Sequence, residues 1–150
     1  MGYIRFLIDN WLFLLAGFLL TFTSSYGQTY FISLFAGQIK ADFDLSDGKW
    51  GGIYTIGTTL SAVTMIWAGA LTDRFRVRHL SFGVMICLAA ACCAMAFNQA
   101  WALLILVIYA LRLMGQGMMS QLAAVAMSRW FIATRGRAIS LASMGFAAGQ

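Results

Sequence analysis

Arg112 is the residue whose chemistry most needs an explanation. It is the one charge in an otherwise uncharged run from about Trp101 to Ser128. A charge near the middle of an apolar helix costs about 2.5–3.5 kcal/mol on insertion scales. Such a residue must face a cavity or a polar partner. Gln116 follows at i+4 and Ser120 at i+8, within about 80° of one another on an α-helix, so the spacing predicts a polar stripe. A guanidinium in that stripe can hold an anion or tune a proton site, and the competing role is a structural hydrogen bond to a neighbouring helix. Earlier in the chain, Thr21, Ser25 and Gln28 fall within about 60°. Phe22, Tyr26, Thr29, Tyr30 and Ser33 cover an adjoining arc. Gln28 and Tyr30 are the pathway candidates of this region, and the Ser and Thr hydroxyls read as interhelical hydrogen-bonding groups.

A third concentration of chemistry is GALTDRFRVRHL, residues 69–80. Gly69 permits close approach of another helix. Asp73 can cap the N-terminus of a neighbouring helix. Arg74 and Arg78, one helical turn apart, can bind acids or lipid phosphates. Enzyme chemistry is not visible. His79 is the only histidine, and there is no paired-carboxylate site in an apolar run, no phosphate loop and no metal cluster. Cys87, Cys92 and Cys93 lie in one apolar run without histidine or carboxylate nearby and read as small packing residues. The sequence therefore calls for no cofactor, no metal and no enzymatic activity.

The elements that must position these groups follow from composition. The 150 residues are 61% hydrophobic and 10% charged, with mean hydropathy +0.81. A soluble domain carries about 25% charged residues, so this chain cannot wrap a core against water. It reads as an all-α polytopic membrane protein in a lipid bilayer. The net charge of +5 lies in the links between apolar runs, as membrane topology requires, which argues against nucleic acid as a partner. The uncharged and apolar runs predict helices over about 11–39, 50–72, 80–97 and 101–128, and a fifth segment over 138–150. Helix two carries Gly57, Ser61 and Gly69 as a small-residue packing face. Lys and Arg number 2, 3, 0 and 3 in the successive links. The 73–79 and 129–137 links are then inside, and the N-terminus with Arg5 is cytoplasmic, as in a bacterial inner membrane. The fifth segment covers roughly half a span, so the sequence is expected to continue past Gln150.

The 69–79 stretch resembles the signature of the major facilitator superfamily, roughly G-x-x-x-D-R/K-x-G-x-R/K-R/K. Gly69, Asp73, Arg74 and Arg78 match it. Arg76 stands where the second glycine would be, and His79 replaces the last basic residue. LRLMGQGMM, 111–119, is similar to the helix-four signature of that family, with Arg112, Gly115 and Gly117 in approximate register. RWF…RGRA…G…G, from Arg129 to Gly149, is similar to the monocarboxylate and oxalate/formate-like branch.

The resemblance implies the first four helices and part of the fifth of a twelve-helix secondary active transporter. Substrate would bind near the bilayer midplane, between this half and a missing C-terminal half. It implies a small-molecule substrate, with a small organic anion suggested by Arg112, and protons as a candidate coupling ion. It also implies that Gly69, Asp73, Arg74 and Arg78 form a conformational latch, and that this portion alone does not transport. The competing class is a non-transporting membrane protein, either a truncated relic or a helix-packing partner of another chain. A channel would need rings of charge or carbonyl filters, and neither is visible.

Overall fold

The computed structural model describes residues 3–150, and the regular structure among them is helical. In chain order the helices are α1 (Tyr3–Asp9), α2 (Trp11–Ser24), α3 (Thr29–Asp42), α4 (Asp47–Ala68), α5 (Leu71–Arg74), α6 (Val77–Phe97), α7 (Trp101–Leu111), α8 (Ser120–Trp130) and α9 (Arg135–Ala148). A 3-10 turn, Ser25–Gly27, joins α2 towards α3, and a π-helical stretch, Arg112–Met119, joins α7 to α8. Three continuous helices are long and apolar enough to cross a membrane: Asp47–Arg74, Val77–Phe97 and Trp101–Trp130. The last is the centre of the bundle. Half of its most apolar window is buried, against 17% for each of the others. Many large apolar side chains point outward, Ile66 (72% exposed), Phe82 (68%) and Phe97 (82%) among them. Water would not tolerate that surface, whereas lipid tails solvate it.

The first crossing departs from the single helix expected over 11–39. It is two 14-residue helices with a break between them, where Gln28 is extended at φ −79°, ψ 153°. No proline forces this break. The hydroxyls before it turn back on their own helix: Thr21 Oγ1 donates to Phe18 O at 2.9 Å, Thr23 Oγ1 to Leu19 O at 2.8 Å and Ser24 Oγ to Thr21 O at 2.7 Å. Such back-bonding bends helices. Gly27 then supplies the residue with the least helical preference in the segment.

Small residues set the packing on either side of the break. α2 packs most extensively against α9. A Cβ on Gly17 would lie 2.8 Å from Met127 Sδ and 3.1 Å from Ala142 Cβ, and one on Gly145 would lie 2.8 Å from the backbone nitrogen of Phe22. Thr21 Oγ1 also donates to Ala142 O across this contact. Helix two meets the central crossing through the small-residue face that the spacing predicts. A Cβ on Gly57 would lie 3.1 Å from Ile105 O and 3.0 Å from Ile108 Cγ2, and Tyr109 Oη donates to Thr64 Oγ1 at 3.2 Å.

The 40–49 link is a defined turn. Leu45 N donates to Lys40 O at 2.9 Å and Asp44 N to Ala41 O at 3.4 Å, with Asp44 left-handed at φ 48°. This is the Schellman arrangement that closes a helix C-terminus. Ser46 Oγ then accepts from Lys49 N and caps α4.

Candidate functional site

Arg112 marks the point where the broken first crossing meets the π stretch. It is 8% exposed. Its Nη1 donates to Thr29 Oγ1 at 2.8 Å and reaches Gly27 O at 3.5 Å, so it binds both ends of the break. Its guanidinium carbon lies 5.7 Å from the centroid of the Tyr54 ring, a cation–π contact from α4. The approach is possible because glycine faces glycine. A Cβ on Gly115 would lie 2.6 Å from Gly27 Cα, and one on Gly27 would lie 2.9 Å from the backbone nitrogen of Gln116. Helix breaks and π segments recur at functional sites because they leave backbone groups available to ligands or side chains.

The electrostatics are unbalanced. The five acidic residues of the chain are Asp9, Asp42, Asp44, Asp47 and Asp73, all outside the middle of the crossings. None forms an ion pair with Arg112 among the described residues. The Arg112 Nε and the hydroxyl of Tyr54 beside it are buried without a hydrogen-bond partner among the described residues. A site with one buried cation, spare donors and an aromatic face suits an anion with oxygen acceptors.

The other expected pathway residues are placed differently. Gln28 lies in the break and is half-buried, Tyr30 is half-buried just beyond it, and Gln116 is exposed. No hydrogen bond joins the side chain of Gln28, Tyr30 or Gln116 to Arg112 among the described residues. The Arg112–Gln116–Ser120 stripe assumes α-helical spacing. The intervening residues are in a π register instead, and in it Arg112 is buried while Gln116 is exposed. The spacing gave no sign of Tyr54 or of the Gly27–Gly115 contact. The cluster Thr21, Thr23, Ser24, Ser25, Gly27 was the available signal for the break.

At the other end of the bundle, the link residues surround a short α5. Gly69 is the C-cap of α4, and its carbonyl accepts from Gln121 Nε2 at 3.3 Å and from Thr72 Oγ1 at 2.7 Å. Asp73 does not cap a helix N-terminus. Its Oδ1 pairs with Arg129 Nη2 at 3.1 Å, at the end of α8, and both side chains are largely exposed. Arg74 and Arg78 are exposed and make no ion pair among the described residues.

The family model described as Major Facilitator Superfamily matches residues 17–150. No curated protein and no solved structure matches the chain. The matched region takes in the break in the first crossing, the basic link and Arg112 alike, and with that coverage the chain belongs to the Major Facilitator Superfamily, whose members are membrane transporters rather than enzymes.

Proposed function

We propose that the chain is the N-terminal part of a secondary active transporter that carries a small organic anion by alternating access. One observation supports this most strongly: a buried guanidinium, free of acidic partners, bound across a helix break. Discontinuous helices near the bilayer midplane are where transporters of several folds bind substrate. Arg112 is the proposed substrate contact, with Gln28, Tyr30 and Gln116 along the pathway. The similarity of 129–149 to the monocarboxylate and oxalate/formate-like branch favours a carboxylate. A C-terminal half supplies the opposing wall. Protons are the proposed coupling ion, and their carboxylate then belongs to that other half, since the acids of this one lie at the ends of its spans and none in the middle. The Lys and Arg pattern of the links supports a cytoplasmic N-terminus in a bacterial inner membrane.

The test is uptake by the complete protein reconstituted in liposomes, with small mono- and dicarboxylates compared against neutral and cationic analogues. Saturable uptake of a carboxylate, competed by other carboxylates and not by cations, is expected. Uptake indifferent to substrate charge would sink the reading. The isolated 150 residues are expected to give no uptake above empty liposomes.

The same reading makes Gly69, Asp73, Arg74 and Arg78 a latch between access states. The Asp73–Arg129 pair is exposed, and such pairs contribute about 0–1 kcal/mol to stability. Asp73→Asn is therefore expected to leave the unfolding temperature nearly unchanged while shifting the inward/outward balance, read by cysteine accessibility from the two sides. If accessibility and uptake both match the wild type, the link serves topology alone.

A further inference from the structure

We propose that a second, lateral groove holds one acyl chain of an anionic phospholipid, with the phosphate met by the basic link. The groove encloses about 410 Å³ beside α5, between α6 and the π stretch. Its walls include Leu71, Phe75, Leu80, Val84, Leu113 and Met114, and the one basic side chain in its lining is His79. An apolar trough by itself names no occupant. The mouth does.

Arg74 and Arg76 flank Phe75 in sequence, and Arg78 precedes His79. All four basic side chains are exposed. None makes a hydrogen bond or ion pair through its side chain among the described residues. The only acid of the link, Asp73, is already held by Arg129. His79 therefore brings one end of the apolar trough up to a link whose arginines carry uncompensated positive charge. A free phosphate would satisfy the mouth and leave the trough unused. A neutral lipid would fill the trough and leave the arginines unpaired. An anionic glycerophospholipid satisfies both, by charge-assisted hydrogen bonds at the head and apolar contact along the chain.

Gly83 offers a clean handle. It lines the groove, and a Cβ there would meet no atom within 4 Å. A larger side chain can enter the groove without displacing protein, and leucine favours the helix over glycine. The protein in mild detergent would be titrated with phosphatidylglycerol, phosphatidylcholine of the same chains, and glycerol phosphate, with retained ligand counted by native mass spectrometry. Phosphatidylglycerol is expected to bind at least about ten-fold more tightly than phosphatidylcholine, since each basic side chain near the surface attracts an anionic headgroup, and glycerol phosphate is not expected to compete. Gly83→Leu should abolish most phosphatidylglycerol retention without lowering the lipid-free unfolding temperature. Arg76→Gln with Arg78→Gln should bring phosphatidylglycerol down to the phosphatidylcholine level. Equal binding of the two lipids overturns the proposal. So does full phosphatidylglycerol retention by Gly83→Leu, or competition by glycerol phosphate. The readout needs neither transport nor a membrane orientation, so it stands or falls apart from the function proposed above.

Discussion

Arg112→Gln is expected to lower carboxylate uptake by roughly ten- to a hundred-fold, because hydrogen bonds to a charged group contribute about 1.5–3 kcal/mol and each 1.4 kcal/mol is a factor of ten. The loss should fall on anionic substrates and leave any residual neutral transport alone. Stability should change little, because two effects offset. Glutamine ends two bonds short of Nη1 and gives up the contacts to Thr29 Oγ1 and Gly27 O. It also removes a charge that costs about 2.5–3.5 kcal/mol to place in the middle of a membrane helix. Arg112→Lys should be intermediate: it keeps the charge and loses the planar fork that can hold a carboxylate through two parallel hydrogen bonds. Uptake measured against unfolding temperature in the same detergent separates the roles. If Arg112→Gln unfolds the protein and depresses uptake of every substrate equally, Arg112 is a brace for the break and carries no substrate.

The second large effect is on stability, at Gly27. An alanine Cβ there would lie 2.7 Å from Gly115 Cα and 2.9 Å from Gln116 N. These are backbone atoms of the central crossing and cannot rotate away. Overpacking costs about 1–3 kcal/mol where side chains can adjust, and the upper end or beyond is expected here. Gly37→Ala and Gly51→Ala are the controls. A Cβ at either meets nothing within 4 Å, and both lie inside helices, so each should gain up to about 1 kcal/mol of helix propensity. The double variant Gly27→Ala with Gly115→Ala should cost less than the sum, since the first methyl already separates the two segments. Thermal unfolding in detergent measures all of these. Additive costs would mean that the two glycines do not share one contact.

Much of the architecture is legible because lipid imposes it. Charges gathered at Lys40–Lys49, Asp73–Arg78 and Arg129–Arg137 mark where the apolar runs end, and helices are the economical way to satisfy a backbone in hydrocarbon. The spacing of Gly57, Ser61 and Gly69 likewise reports a packing face, since close helix contact in a membrane needs small residues. Arg112 announces itself by cost alone. What the sequence hides are features decided by two distant segments together. The hydroxyls of Thr21, Thr23 and Ser24 can bond their own helix or another, and only the meeting of Gly27 with Gly115 selects the broken form. In the π stretch around Gly115, Gln116 is exposed while Arg112 is buried, where a 3.6-residue period puts both on one face. Tyr54 lies over Arg112 because helix two packs on the central crossing, and no local pattern marks it. Asp73 reads as a cap for a neighbouring helix N-terminus, whereas its observed partner is Arg129, which depends on how α5 and the end of α8 come together.

A lone guanidinium in the bundle interior also works as an insulator. At an effective dielectric of about 20, a unit charge raises the energy of another like charge about 8 Å away by about 2 kcal/mol. A hydronium or sodium ion drifting past Arg112 would be roughly thirty-fold scarcer there than beside a neutral residue. An anion gains where a cation loses, so the same side chain that would greet a carboxylate discourages the leak of cations that a membrane's stored gradient cannot tolerate.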